Sequence, residues 1–297
     1  MKEKKEGRKN MTKRVFVGKI DLDTIGCAFL LGISREDAVE VLRSAQATPE
    51  DLADPNVICI EVGGSGRVDL SDFDHHEVGG PTRSATYQAW EHVGRPEELA
   101  RLVEYIDILD TAGPQALGTE KRPPGDNTPR RFLSDVLAGM FLTERNPLEQ
   151  LHKGIEILKE IAEKGYDPFG EIPGFDAYVK AKAENVRQVV LAVENARWET
   201  SHGGLHVAIL ETQFPGATGA LYGAGAQVVV LLNPNFNGVR KFTIGGNNGI
   251  RVDAVLPALN QLEAGWGGPA TGTILGSRRE GSNLSLDEVA RVVLETL

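Results

Sequence analysis

Acidic and histidine side chains recur at the ends of apolar segments in the first part of the chain. Runs such as residues 15–17 and 57–62 are typical of buried parallel strands, and each has a carboxylate at or just beyond its end. Loops at the carboxyl ends of such strands converge in an open α/β sheet, so we expect these side chains to meet in one crevice. The candidates, in chain order, are Asp21, Asp23, Glu61, the run Asp74-His75-His76, and Asp110.

A crevice that gathers several carboxylates needs a compensating positive charge. Like charges a few ångströms apart raise one another's pKa and destabilise the fold, and a divalent cation is the usual remedy. Carboxylates combined with one or two imidazoles suit Mn²⁺, Mg²⁺ or Fe²⁺ better than a thiol-preferring ion. The pattern therefore predicts a metal site built from oxygen and imidazole ligands.

The composition limits the classes of partner. With 32 basic and 42 acidic side chains, the 297-residue chain has a formal charge of −10, which disfavours attraction of nucleic acid to the whole surface. No apolar stretch approaches the ~20 residues of a membrane span. Cys27 and Cys59 cannot build a disulfide framework or a zinc site, which fits a reducing compartment. We therefore expect a cytoplasmic protein that has neither long duplex DNA nor a membrane as partner.

Strand-like and helix-like segments alternate through the chain, which predicts an α/β protein with a mainly parallel sheet. We expect a helix over residues 36–46, and a long helix over 176–198 after a Gly/Pro-rich break. Residues 113–129 form either a mobile loop beside Asp110 or a plain surface connection. The predicted divisions are a flexible tail at 1–10, a metal-binding domain at 11–174, a linker helix at 175–199 and a smaller lobe at 200–297.

The run Asp74-His75-His76 is the naming motif of the DHH phosphoesterase superfamily, and the chain resembles this superfamily in several further motifs. Asp21-Leu22-Asp23 resembles the first motif, Glu61 stands where the aspartate of the second falls, and Asp110-Thr111-Ala112-Gly113 resembles the fourth. Residues 265–272 are similar to the glycine-rich motif of the DHH-associated C-terminal domain. The resemblance implies a DHH-like N-terminal domain with a mainly parallel sheet, followed by a smaller α/β lobe that binds the substrate.

Three positions depart from the superfamily's pattern. Val17 stands where a histidine ligand is usual, Glu61 replaces an aspartate, and Gly268 takes the place of a histidine in the C-terminal motif. The resemblance therefore implies one firm site for Mn²⁺ (or Mg²⁺) and a second that is weak or absent, holding only Asp21 and a shared Glu61. The ligands of the firm site would be Asp23, Glu61, His75 and Asp110.

Further residues are predicted to act on the substrate. Catalytic roles are assigned to Asp74, His76 and Lys19. The ammonium of Lys19 stands in for part of the lost metal charge, or Lys19 is a surface lysine at a strand end. Trp266 is either a stacking surface for a base or a buried loop anchor. The predicted substrate contacts are Lys241, Arg251, Trp266, Gly267 and Gly268.

The resemblance implies Mn²⁺-dependent hydrolysis of a phosphodiester or phosphoanhydride in a short nucleotide. Two other functions stay open at this stage. One is a DHH-fold protein that binds a nucleotide or metal without turning it over, and the other is an inorganic pyrophosphatase, which depends most on the missing histidine. The expected partner is a small nucleotide or a short oligonucleotide, and the sequence leaves open whether the chain forms a homodimer.

Overall fold

The computed structural model describes residues 13–42, 46–76, 83–118, 130–236 and 238–297. The chain forms two compact units, and the division falls between Lys182 and Ala183. That division lies inside the helix that the sequence predicts as a linker. The tail predicted at 1–10 and residues 119–129 of the predicted loop lie outside the described residues.

A four-stranded parallel sheet forms the centre of the N-terminal unit, with strand order β2-β1-β3-β4. The central strand β1 is buried at Val15, Phe16 and Val17, as expected of a parallel strand covered on both faces. Because all four strands run the same way, their carboxyl ends lie at one edge. The strands are β1 (Arg14–Val17), β2 (Ala38–Val41), β3 (Val57–Ile60) and β4 (Asp72–Phe73).

Helices surround this sheet, and their apolar side chains form one core with it, which includes Ile25, Tyr105 and Leu158. None of the helices in the described part of the chain is both long and apolar enough to cross a membrane. The last helix continues past Lys182 into the C-terminal unit. The helices are α1 (Leu22–Leu30), α2 (Pro49–Ala53), α3 (Ala85–His92), α4 (Ala100–Ala112), α5 (Leu133–Thr143), α6 (Pro147–Lys164) and α7 (Asp176–Glu194).

The prediction of a helix over residues 36–46 is wrong, because residues 38–41 form β2. Val39 and Val41 are partly buried and alternate with the exposed Ala38 and Glu40, which is the period of a strand and not of a helix. Pairing with β1 along its whole length then holds the segment at the edge of the sheet. The alternation was present in the sequence, but four residues are too few to outweigh the polar residues around them.

A five-stranded mixed sheet forms the C-terminal unit, with order β5-β6-β7-β8-β9, in which β6 and β7 are parallel and the other pairs antiparallel. Val230, Phe242 and Val293 belong to the core on one face, and Ala208 and Leu221 to the core on the other. The two sheets confirm the predicted fold class. The elements are β5 (Arg197–Thr200), β6 (His206–Glu211), α8 (Ala217–Gly223), β7 (Val228–Phe236), β8 (Val239–Gly246), α9 (Leu256–Leu262), β9 (Ile274–Gly276) and α10 (Leu286–Thr296).

Close packing of α5 on the start of α7 requires a glycine. A Cβ on Gly139 would collide with the backbone carbonyl of Tyr178, whereas a Cβ on the helical Gly219 would meet nothing. We expect Gly139→Ala to lower the stability by about 1–3 kcal/mol, although alanine is the better helix former by ~1 kcal/mol. Gly219→Ala is the matched control and should be neutral or stabilising. Thermal unfolding of both variants decides this, and equal melting temperatures would contradict the packing argument.

Candidate metal centre

Four side chains of ligand type converge beyond the carboxyl ends of β1, β3 and β4, and their ligand atoms all lie within 4.8 Å of one another. The centre of the group is His75 Nε2, which lies 3.0 Å from Asp110 Oδ2, 3.3 Å from Glu61 Oε1 and 3.8 Å from Asp23 Oδ2. The side chains of Asp23 and Glu61 are buried, and those of His75 and Asp110 are mostly so. The structure therefore brings together the four residues that the resemblance implied as ligands of one cation.

Asp23 is held in place by the N-terminus of α3. One carboxylate oxygen accepts a hydrogen bond from the amide of Ala85, and the other accepts one from the amide of Thr86, each at 2.8 Å. The hydroxyl of Thr86 donates in turn to the Asp23 carbonyl. Two carboxylate oxygens offer about four lone-pair sites, so these bonds orient the group and leave capacity for a further ligand. The start of α3 thus acts as the support of this residue.

Glu61 occupies an unusual backbone conformation at the end of β3. Its φ of 56° lies in the left-handed region, which costs a residue other than glycine about 1–2 kcal/mol. The neighbouring backbone fits closely around it, since a Cβ on Gly18 would lie 2.6 Å from the Glu61 carbonyl oxygen. The Thr24 hydroxyl donates to Glu61 Oε2 at 3.2 Å. Strain of this kind persists where the surroundings fix it, and it recurs at functional sites.

Three buried atoms of the group lie close to one another but make no hydrogen bond of acceptable geometry with any described residue: Glu61 Oε1, His75 Nε2 and Asp110 Oδ2. Leaving a buried polar atom unsatisfied costs roughly 1–3 kcal/mol, so three at one point call for an explanation. Each of them is of a type that binds metal ions, and all three lie within 4.8 Å of one another. Together with Asp23 they form a donor set of three carboxylates and one imidazole, which fits a divalent cation such as Mn²⁺ or Mg²⁺.

The electrostatics of the group point the same way. Burial, together with repulsion by Asp21 and Asp23, raises the pKa of Glu61 to about 9, although Lys19 opposes the change. Burial and repulsion by Asp23 raise the pKa of Asp110 to about 6, although His75 opposes it. A cation that binds here near neutral pH would therefore displace a proton from Glu61.

Lys19 and Asp21 form an ion pair beside the group, with 2.7 Å between Nζ and Oδ2. Burial alone would lower the pKa of Lys19, but the hydrogen bond to Asp21 and the charges of Asp21, Glu61 and Asp110 raise it. Asp21 also caps α1 by accepting a hydrogen bond from the Thr24 amide. In the described chain Asp21 is therefore paired with an ammonium, outside the four-ligand group. The second metal site to which the sequence assigned it stays a prediction.

Asp74 and His76 form a pair next to the same group. Asp74 is buried and accepts hydrogen bonds from the amides of Gly64 and His76; these outweigh burial and lower its pKa. His76 Nδ1 lies 2.9 Å from Asp74 Oδ1. His76 also belongs, with Glu61 and His75, to a second set of close ligand atoms. Asp74 is thus hydrogen-bonded to His76 and does not itself join the four-residue group. The motif alone did not reveal this difference between Asp74 and His75.

The substrate contacts predicted in the C-terminal unit are engaged with the protein itself. Lys241 Nζ donates to the carbonyls of Ser277 and Arg278 at 2.6 and 2.7 Å, and Arg251 pairs with Asp253. Trp266 is only 5% exposed and packs against Phe242 with 5.7 Å between ring centroids. The prediction of Trp266 as a stacking surface is corrected, because a buried ring has no face open to a base.

The glycines of the C-terminal motif have a structural explanation. Gly267 forms a two-way backbone bridge with Gly276. A Cβ on Gly268 would collide with the carbonyl oxygen of Ile274. No side chain, and hence no histidine, can stand at position 268 unless the loop moves. Neither glycine presents a side chain to a substrate, so any contact they make would be through the backbone.

Sequence reasoning missed the residues that support the ligands. Thr24 and Thr86 hold Glu61 and Asp23 through their hydroxyl and backbone groups. The sequence did contain one signal, since Ser84 precedes α3 as a cap and thereby marks the amides that follow it. Those amides contact Asp23, more than 60 positions earlier in the chain. Such a tertiary contact leaves no signal in the local sequence.

No protein-family model matches the chain, and no curated protein matches it. Among solved structures, the chain is similar to PggH, a pGpG-specific phosphodiesterase from Vibrio cholerae, with 17% identity, coverage of 95% of each chain and a TM-score of 0.51. It also matches the DHH domain of a member of the s1p family of ribosomal proteins (13% identity, 95% and 85% coverage, TM-score 0.40). CDC45 from Entamoeba histolytica matches at 8% identity, 95% and 94% coverage and a TM-score of 0.41. The similarity to PggH extends over nearly the whole of both chains, and the DHH-like fold that the motifs predicted is confirmed.

Removing one ligand should abolish firm cation binding. Asp110→Asn keeps the size of the side chain but removes its charge, so the cation would lose one of three anionic ligands. We expect the content of Mn²⁺ after dialysis to fall from about one equivalent to near zero. Glu104→Gln, an exposed change on the same helix, is the matched control and should retain the metal. Elemental analysis measures this, and unchanged manganese in Asp110→Asn would remove Asp110 from the site.

The raised pKa values predict an unusual pH dependence of the metal-free protein. A carboxyl group whose folded pKa is raised stabilises the fold below its unfolded pKa, and that contribution is lost as pH rises through the folded value. For Glu61 the window runs from pH 4.5 to about 9. As pH rises across this window, we expect the melting temperature of the wild type in chelator to fall. The melting temperature of Glu61→Gln should fall less, because its side chain stays neutral. Added Mn²⁺ should raise the wild-type melting temperature more at high pH. Parallel curves for the two proteins would contradict this.

Proposed function

We propose that this protein is a metal-dependent phosphoesterase that hydrolyses a phosphodiester or phosphoanhydride bond in a short nucleotide. The observation that carries the proposal is the convergence of three buried, unpartnered ligand atoms at the sheet edge of a DHH fold. The similar structure from Vibrio cholerae is a pGpG-specific phosphodiesterase, which supports a substrate as small as a dinucleotide.

The donor set fits one Mn²⁺ or Mg²⁺ ion, which Asp23, Glu61, His75 and Asp110 would hold. When bound, such a cation supplies a Lewis acid for the phosphoryl oxygens and lowers the pKa of a water molecule. The protein's own part is to fix the four ligands on rigid backbone: the start of α1, the end of β3, the segment after β4 and the end of α4. This arrangement leaves little reorganisation to be done at the moment of reaction.

His76 is the proposed general acid or base. Its hydrogen bond to Asp74 selects the tautomer with the proton on Nδ1, which leaves Nε2 as an acceptor. The His76 side chain is 55% exposed, so a substrate can reach it. Asp74 is the positioning residue of this pair, because it touches His76 and the Gly64 amide and not the ligand group.

Lys19 is the proposed substitute for part of the charge of a second cation. Its ammonium lies against Asp21 and faces the charges of Glu61 and Asp110. A cation at this position can stabilise a phosphoryl oxygen without any metal of its own. We therefore propose one firm cation, and a second that is weak because Lys19 already neutralises Asp21.

The second candidate function is a DHH-fold protein that binds a nucleotide without turnover. The observation that favours it is the engagement of the C-terminal groups: Lys241 with two carbonyls, Arg251 with Asp253, and Trp266 within the core. Substrate affinity would then come from the N-terminal unit alone. The two functions differ in turnover and not in metal content.

The test is a turnover assay of the full chain with Mn²⁺ against pGpG, short oligonucleotides, cyclic dinucleotides and pyrophosphate. We expect a linear dinucleotide to be cleaved, with loss of activity in Asp110→Asn and His76→Gln and retention in Glu104→Gln. Binding of nucleotide with no turnover of any substrate would favour the second candidate. Cleavage of pyrophosphate alone would favour a pyrophosphatase.

A change at Lys19 should affect catalysis more than stability. Because 62% of the Lys19 side chain is exposed, its ion pair contributes less than about 1 kcal/mol to folding. We expect Lys19→Met to lower kcat about 100-fold while the melting temperature hardly changes. Lys19→Arg should retain much of the activity, and Lys180→Met, an exposed lysine of α7, is the control.

The same reasoning predicts that Lys19→Asp gains a second, weaker equivalent of Mn²⁺, because it replaces the ammonium by another carboxylate. A kcat of Lys19→Met within twofold of wild type, and no extra manganese in Lys19→Asp, would make Lys19 an ordinary surface lysine.

A further inference from the structure

A cavity of about 300 Å³ opens beside the ligand group, wholly within the N-terminal unit. It is lined by Asp21, Asp23 and Asp110 together with apolar residues of α1, α4 and α5. The volume lies at the lower end of the ~300–1,000 Å³ typical of small-molecule sites. The cavity therefore adjoins the cation-binding group directly and is large enough for one small group.

The helices α1 and α4 carry residues of the four-residue group and also residues of the apolar wall of the cavity, whereas α5 supplies further lining only. On α4, Asp110 is preceded by Leu109, and on α1, Leu22 stands between the two aspartates. From α5 come Ala138 and Phe141, which are only partly buried in a helix whose other apolar residues are mostly in the core. A group bonded to a phosphate at the cation would thus lie against this wall.

The chemistry of the lining selects the kind of group. Among the described residues that line the cavity, none is a lysine or an arginine. A second phosphate would meet Asp21, Asp23, Asp110 and hydrocarbon, and the ammonium of Lys19 is already paired with Asp21, so repulsion and desolvation would oppose it. A flat uncharged ring would instead bury apolar faces against Leu109, Ala138 and Phe141, which is favourable at roughly 25 cal/mol per Å².

We propose that this cavity binds the nucleobase of the nucleotide whose phosphate lies at the cation. The inference rests on the proposed function and adds to it the place where the base next to the scissile phosphate is held. Apart from the carboxylates, the polar side chain in the lining is Ser134. Most of the affinity then comes from contacts between the apolar wall and the faces of the base, so purine and pyrimidine bind with similar affinity, as in other sites that hold bases by their faces.

The test is equilibrium binding of GMP, CMP and inorganic phosphate to the Mn²⁺-loaded full chain. We expect GMP and CMP to bind about tenfold or more tightly than phosphate, and within about fivefold of one another. Ala138→Trp, which fills the cavity, should reduce the affinity for GMP to that for phosphate while manganese content and phosphate binding stay unchanged. Thr143→Trp, at an exposed position of the same helix, should behave as wild type.

If Ala138→Trp does not fold, a second variant tests the cavity. Phe141→Ala removes the largest ring of the wall and should weaken GMP binding at least about threefold, with manganese retained. Equal affinities for GMP and phosphate in wild type, or GMP binding that is untouched by both variants, would overturn the proposal. So would a more than tenfold preference for one base, because such a preference requires hydrogen bonds from Ser134 or a carboxylate to the base edge to outweigh the contacts of its faces with the apolar wall.

The failure of this inference is distinguishable from that of the proposed function. Turnover of a dinucleotide by wild type with an unchanged KM in Ala138→Trp would overturn the base pocket and leave the phosphoesterase standing. Binding of GMP that Ala138→Trp abolishes, without turnover of any substrate, would support the pocket and overturn the enzymatic function.

Discussion

Mutual repulsion among carboxylates at one sheet edge is the constraint around which the N-terminal unit is arranged. Asp23, Glu61 and Asp110 are brought within a few ångströms of one another in a largely buried place, and the pKa of Glu61 is raised to about 9 as a result. Each acid belongs to an element that core packing holds: α1, the end of β3, and α4. None can move away without loss of that packing, so the core maintains the repulsion, and a cation that joins the group relieves it.

The supports of the group are of two kinds, and they act differently. Asp23 receives two backbone amides at the start of α3, where the helix dipole favours an anion. Glu61 receives one hydroxyl and is kept in a left-handed conformation over Gly18. Burial and the nearby charges of Asp21 and Asp23 raise the pKa of Glu61 despite this hydrogen bond, so a cation would be needed most at that residue.

The convergence of Asp23, Glu61, His75 and Asp110 could be predicted from the sequence, because parallel strands bring their carboxyl ends together and because the DHH run marks one of them. The conformation of Glu61 could not, since it depends on how Gly18 packs beneath it. The contacts of Lys241 could not be predicted either. Because β8 pairs with β9 so that Thr243 lies opposite Gly276, the carbonyls of Ser277 and Arg278 lie within hydrogen-bonding distance of its ammonium. Strand register of this kind carries no signal in a single sequence, and neither does the burial of Trp266 against Phe242.

The loop at Gly268 cannot accept a side chain as it stands. A Cβ there would collide with the Ile274 carbonyl, and Gly267 bridges to Gly276 beside it. The same unit also has Lys241, Arg251 and Trp266 already engaged within the protein. With those groups satisfied internally, a substrate bound at a cation would be recognised by surfaces of the N-terminal unit. Of these, the cavity between α1, α4 and α5 shares Asp23 and Asp110 with the four-residue group, so affinity gained there would act directly on a phosphate held at the cation.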